Sequence, residues 1–181
     1  EDIKPFSKSI NSKMHESSAV FTKDNKTMYF NRTSDKRVKV GEELIATVKI
    51  YRATLDNGEW VNITETPFSS NQFSTQHPAL SSDEKKLYFS SDRPDSFGSF
   101  DIYYVTINED GTYSEPVNLG SNINTKEREQ FPYVGAENTL YFASNGHQGL
   151  GGLDLFMSNY YSGVFAKPIN LGETINSGMI C

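Results

Sequence analysis

Two stretches of the chain are written to one plan. LYFSSDRPDSFGSFDIYYV begins at Leu87, and LYFASNGHQGLGGLDLFMS begins at Leu140. Each opens on Leu-Tyr-Phe and runs an equal distance to an acidic-aliphatic-aromatic triplet, Asp101-Ile102-Tyr103 or Asp154-Leu155-Phe156. A third copy starts at Met28-Tyr29-Phe30, so successive triplets are offset by 59 and 53 residues. Self-similarity at such a period limits the fold more than composition does. Each copy must be one structural unit, and it buries its faces only by stacking on the next.

The copies match in detail. A polar turn precedes each triplet: Lys23-Asp24-Asn25-Lys26, Ser82-Asp83-Glu84-Lys85 and Ala136-Glu137-Asn138. Before that turn comes a short extended piece, such as Pro78-Ala79-Leu80 or Pro132-Tyr133-Val134. After the triplet a long loop leads to a second aromatic strand. A hairpin signal follows, a glycine and then an aromatic two residues on: Gly58-Glu59-Trp60, Gly111-Thr112-Tyr113 and Gly163-Val164-Phe165. Asn57-Gly58 and Asp110-Gly111 tolerate the positive φ that tight two-strand turns require. Each copy closes on a further extended piece, PVNLGSNIN from Pro116 and PINLGETIN from Pro168; the first copy keeps only Val61-Asn62-Ile63 of it.

Each unit thus reads as four short antiparallel strands over about 50 residues, the grammar of a β-propeller blade. The expected fold is all-β, with three four-stranded blades in one propeller domain. The expected boundaries are 1–14 for the end strand of a preceding blade, 15–76 for a divergent blade, 77–130 for a second and 131–181 for a third. The divergent blade carries a longer loop between Phe30 and Lys49, rich in Lys, Arg and Glu. PFSKSIN, from Pro5, is a worn version of PVNLGSNIN, so the chain is read as starting and ending in last strands of blades. Propellers have roughly four to eight blades, and three do not close a ring; the chain is read as part of a larger propeller of about six.

Aromatic residues make up 13% of the chain against a hydrophobic total of only 36%, so much of the core is Tyr and Phe. Net charge is −6, with both signs interspersed. No basic run gives the footprint of a nucleic-acid binder. No apolar run approaches the about 20 residues of a membrane-spanning helix. The only cysteine is Cys181, so an internal disulfide is excluded, and that terminal thiol is read as a cut end rather than a functional group.

HPALSSDEKKLYFSSDRP resembles the PD40, or TolB-like "WD40-like", propeller motif, with Ser82 where proline is usual and Glu84 where glycine is usual. SFDIYYVTINEDGTYSEPVNLGSNINT, EQFPYVGAENTLYFASNGHQGLGGLDLFMS and KPINLGETINS resemble a narrower group, the propeller of Bacteroidota OmpA-family proteins of the PorE type. The divergent first unit, with KIYRATLDNGEWVNITETPFSSNQFSTQHPALS after its basic insertion, is similar to the first-blade region of that group. The resemblance covers most of residues 15–177. It implies a periplasmic, outer-membrane-associated protein linked to type IX secretion and gliding. It also implies other cell-envelope proteins as partners, a PorP/SprF-type outer-membrane protein among them. Peptidoglycan binding would belong to an OmpA-like domain that these residues do not include. The ending Gly178-Met179-Ile180-Cys181 departs from the acidic continuation of the group.

Catalytic signals are absent from the sequence. There is no Gly-x-Ser-x-Gly elbow, His-Glu-x-x-His, P-loop or cysteine pair, and Gly149-Leu150-Gly151-Gly152 lies between strands rather than before a helix. The expected function is a non-enzymatic scaffold for protein–protein interaction, with no cofactor and no direct membrane insertion. The rivals are a glycan-acting propeller hydrolase or lyase, for which Asp83 with Glu129 is a conceivable carboxylate pair, and a calcium or small-ligand module. Asp92, Asp95 and Asp101 are weak calcium candidates, since hard oxygen ligands cluster there. Asp101 and Asp154 occupy equivalent positions, and the repeated job expected of them is to accept loop N–H groups. Partner contacts are expected from His77, which starts an inner strand, from Arg93 and Arg128 in loops, and from His147 in an exposed loop. His15 carries no expected role.

Overall fold

The computed structural model describes residues 5–178; Cys181, read above as a cut end, lies outside them. The strands are β1 (Glu16–Phe21), β2 (Thr27–Val40), β3 (Glu43–Asp56), β4 (Glu59–Glu65), β5 (Thr75–Leu80), β6 (Lys86–Ser91) and β7 (Asp101–Thr106). They continue as β8 (Val117–Asn118), β9 (Glu129–Val134), β10 (Leu140–Ser144), β11 (Asp154–Ser158), β12 (Tyr160–Tyr161), β13 (Val164–Phe165) and β14 (Ile169–Asn170). Among the described residues the only helical element is a 3-10 turn at Ala136–Asn138. The fold is all-β, built from four-stranded antiparallel blades in the orders β1-β2-β3-β4, β5-β6-β7-β8 and β9-β10-β11-β14.

The repeated triplets become the second strand of each blade. Phe30 faces Tyr51, Phe89 faces Tyr103 and Phe142 faces Phe156 across the strand pair. Such cross-strand aromatic pairs bury large area on a pleated surface. The chain divides into two compact units, 1–78 and 79–181.

In the first unit, Ile10, Met28, Phe30, Ala53 and Trp60 form the core. The basic insertion is not a loop here. Val38 pairs with Ile45 and Lys39 with Leu44, so the insertion lengthens the β2–β3 hairpin, which turns at Gly41 with φ +62°. Alternating residue types let it continue the ladder, and a register shift between Thr33 and Arg37 marks where it departs from the other copies.

In the second unit, the second and third blades share one core: Ala79, Tyr88, Ile102 and Ile123 pack with Val134, Leu140, Phe142, Phe156 and Phe165. Face-to-face stacking is what a single four-stranded sheet needs to bury its second side.

Candidate functional site

The NLGSNIN and NLGETIN segments act as connectors, and their asparagines explain the strict repeat. Asn124 Oδ1 accepts the Ile102 N–H at 2.8 Å and its Nδ2 donates to the Ile102 carbonyl at 3.0 Å. One side chain thereby extends the β8 edge of β7, where the Leu119 N–H also bonds the Ile102 carbonyl at 3.1 Å. Asn118 Oδ1 accepts from Gly120 N at 2.8 Å and from Asn124 Nδ2 at 2.8 Å, while its Nδ2 donates to Asp101 at 2.7 Å. Asp101, fully buried, also accepts the N–H groups of Phe97 at 2.7 Å and Gly98 at 3.2 Å. The third blade repeats this: Asn176 brackets the Leu155 peptide, Asn170 bonds Asp154 at 3.1 Å, and Asp154 accepts the Leu150 N–H. The two equivalent aspartates therefore do the loop-fixing job expected of them.

The connector's end is held by a carboxylate of the following blade. Glu129 accepts from Thr125 N and Thr125 Oγ1, both at 2.8 Å, and from Ser144 Oγ at 2.7 Å. Glu16 holds Ser12 the same way, from its N–H at 3.3 Å and its Oγ at 2.5 Å. Asp83 does a different task, capping its own turn through Ser81 Oγ at 2.6 Å and Lys85 N at 3.1 Å. Glu129 pairs at the Ser144 end of β10, whereas Asp83 sits in the turn that starts β6. The two carboxylates thus lie at opposite strand ends and do not form a pair.

A basic side chain lies on the aromatic pair of each blade. The Arg32 guanidinium sits 5.2 Å from the Phe30 ring and 4.9 Å from Tyr51; Arg93 sits 5.5 Å from Phe89 and 4.8 Å from Tyr103. In the third blade the His147 ring takes this place, 5.8 Å from Phe142 and 5.2 Å from Phe156. Arg32 Nη2 donates to the Ile10 carbonyl at 2.6 Å, and His147 Nε2 meets the Ile123 carbonyl at 2.8 Å. A carbonyl only accepts, so the His147 proton sits on Nε2. Arg93 is 9% exposed, and His147 is half-buried rather than displayed in solvent. Stacking on the rings draws both inward, and His147 also reaches a connector carbonyl. Neither presents a free charged tip to a partner.

The remaining sequence candidates separate. His77 lies within β5, half-buried, with φ +58° and its N–H bonded to Asn31 Oδ1 at 3.1 Å; burial pushes its pKa down to about 4. Asp92 and Asp95 are exposed, and among the described residues no group of three metal-binding side chains converges. The calcium candidates are therefore not brought together, and Asp101's oxygens are already committed to its own loop.

Arg128 is placed differently. It is exposed, its N–H is held by Asn145 Oδ1 at 2.9 Å, and it borders a cavity of about 400 Å³ with Leu153, Leu155, Ile175, Asn176 and Ser177. This cavity lies on the face of the third blade that corresponds to the face of the second blade under β9–β11. Ile123 and Ile102 of the second blade are 0% exposed, whereas their counterparts Ile175 and Leu155 are 57% and 40% exposed. The same connector thus presents the same apolar residue to open surface, together with Ser177, the counterpart of the Thr125 whose hydroxyl bonds Glu129. Sequence reading missed this face because the two connectors are nearly identical in sequence; only packing tells them apart.

The blades, their connectors and the stacked core define the class: a β-propeller protein. Neither a protein-family model nor a curated protein sequence matches the chain. Among solved structures it is similar to TolB from Acinetobacter baumannii, at 16% identity and a TM-score of 0.54, over 88% of this chain and 33% of that one. It is also similar to a puromycin-hydrolyzing peptidase of Mycobacterium tuberculosis, at 16% identity and a TM-score of 0.51, over 88% of this chain and 23% of that one. The chain thus spans about a third or less of these structures, and the likeness is one of fold.

Proposed function

We propose that this chain is a non-enzymatic interaction scaffold of the cell envelope whose third blade presents an apolar face for a further propeller blade or a protein partner to cover. One observation carries the reading: Ile175 is 57% exposed where its twin Ile123 is fully buried. Contiguous apolar surface rimmed by polar groups marks a protein contact. Leu153, Leu155 and Ile175 supply the apolar part, and Arg128, Asn145 and Ser177 the rim. The second blade shows what chemistry covers such a face. What covers this face offers a carboxylate to Ser177, as Glu129 does to Thr125, and an aromatic pair with a basic side chain reaching the Ile175 carbonyl. The envelope setting, with a type IX secretion or gliding apparatus and a PorP/SprF-type partner, rests on the resemblance of the repeats to OmpA-family propellers.

The test is site-specific photocrosslinking from position 175 in intact cells, with position 21 as a control on exposed Phe21 of the first unit. A discrete crosslinked envelope protein at 175, lost in a Leu155→Lys, Arg128→Glu variant that still folds, is the expected result. Crosslinks at 21 but none at 175 would remove the third-blade face from the reading.

A further inference from the structure

A second cavity, of about 310 Å³, opens between the second and third blades at the end where β6 begins. Four aromatic side chains stand in its wall, Tyr88, Tyr104, Tyr160 and Phe165. Tyr88 lies 5.7 Å from Tyr104 and 6.3 Å from Phe165, and Tyr160 lies 4.9 Å from Phe165. The Lys86 ammonium sits at the mouth, 4.3 Å from the Tyr104 ring and 5.5 Å from that of Tyr160. No Asp or Glu lines the cavity, in a chain whose net charge is −6.

Two unmet bonding groups stand out. Tyr88 is only 3% exposed, yet its hydroxyl has no protein partner among the described residues and borders the cavity. Its oxygen opens on the cavity rather than being sealed in the core, so it is free to donate to a ligand there. Lys86 likewise has no carboxylate within ion-pair distance among the described residues. Burial raises the Tyr88 pKa, so the phenol stays protonated and donates. Both unmet groups are donors, and a ligand that satisfies both is an anion. Asn122, which also lines the cavity, donates from Nδ2 to the Phe165 carbonyl at 3.0 Å and keeps its Oδ1 as an acceptor.

We propose that this cleft binds an acidic sugar. The carboxylate meets Lys86 and the Tyr88 hydroxyl, the ring lies against tyrosine faces, and a sugar hydroxyl donates to Asn122 Oδ1. The site is on the opposite strand ends from the Arg128 face, and it stands independently of the scaffold reading.

The experiment titrates the whole chain with glucuronate, glucose and benzoate, followed by NMR shifts of the tyrosine ring protons. Glucuronate is expected to saturate in the millimolar range, with glucose and benzoate each about tenfold weaker. Tyr88→Phe removes a hydroxyl that bonds nothing in the protein, so this variant keeps the fold and still loses about tenfold in affinity for glucuronate. Lys86→Met, which keeps the aliphatic stem, loses at least as much. Absence of saturable glucuronate binding would overturn the proposal, and so would wild-type affinity in both variants. Benzoate binding as tightly as glucuronate would overturn the sugar assignment.

Discussion

Asn124 shows how one side chain can extend a strand edge. Its amide satisfies both backbone groups of Ile102 and also bonds Asn118. Replacing it with Ala leaves the buried Ile102 N–H unmet, while the carbonyl keeps the Leu119 N–H at 3.1 Å, at a cost of about 2 kcal/mol. Asn176→Ala removes the same bonds around Leu155, but Leu155 is exposed and water can replace them, so the cost is about 1 kcal/mol. Urea unfolding midpoints of the two variants should differ in that order; equal values would mean that the connectors are not distinguished by packing. Ser90 tests the opposite sign. It is fully buried in β6 and its hydroxyl bonds nothing, so Ser90→Ala should stabilise the fold by about 1 kcal/mol in the same measurement. The sequence made the connector asparagines legible, because they recur at fixed spacing in NLGSNIN and NLGETIN. It could not show that Ser90 lacks a partner, since a strand serine reads the same whether paired or not.

His77 adds a pH dependence at the same scale. Burial lowers its pKa from 6.5 to about 4. Above pH 6.5 the ring is neutral in folded and unfolded chains, and its contribution to stability is fully present. As the pH falls the unfolded chain takes up the proton first, so that stability is lost down to about pH 4, by about 3 kcal/mol in all. Carboxylates begin to titrate within that window. The readout is therefore the difference between wild type and His77→Gln, which should shrink steadily from pH 7 to pH 4. A difference independent of pH would mean that the ring is neutral for no folding-linked reason.

At the scale of elements, the seam between second and third blades depends on backbones approaching closely. Gly98, in the loop before β7, faces the backbone of Thr125, Lys126 and Glu127, and a Cβ there would run into that backbone. Gly98 N also donates to Asp101. Gly98→Ala should therefore push the connector away from the loop and destabilise the fold by about 2 kcal/mol, seen as a lower Tm; Gly152→Ala, which meets nothing, is the neutral control. The strand count and order were legible in the repeat, because period-two aromatic strands and Gly turns recur at the same offsets. Two things were not. The Phe30–Lys49 insertion reads as a loop because its charges dominate, yet its alternation extends a hairpin. The basic residue on each aromatic pair is Arg32, Arg93 or His147, each at a different distance from its triplet, so alignment of the copies does not find it. The aromatic pair is the constant, and the basic group comes from whichever nearby position reaches it.

At the scale of the molecule, one physical asymmetry organises the functional reading. Two blades of the second unit share a core, and the far face of the third carries the same connector with nothing packed on it among the described residues. Leu153, Leu155 and Ile175 are together too apolar to stand against water without consequence, whereas scattered single exposed residues would be unremarkable. The chain should bind a hydrophobic dye such as ANS in its folded state, and should self-associate as concentration rises. Leu155→Lys combined with Ile175→Lys should abolish both while leaving the unfolding midpoint almost unchanged, because neither side chain is buried in the core. The pair Val164→Lys and Tyr161→Lys, exposed on the β12–β13 hairpin of the same blade, should leave dye binding as it was. Fluorescence titration with sedimentation velocity separates the outcomes. If the hairpin pair removes dye binding and the connector pair does not, the sticky surface lies on the hairpin, and the correspondence between Ile123 and Ile175 has no bearing on what this protein holds.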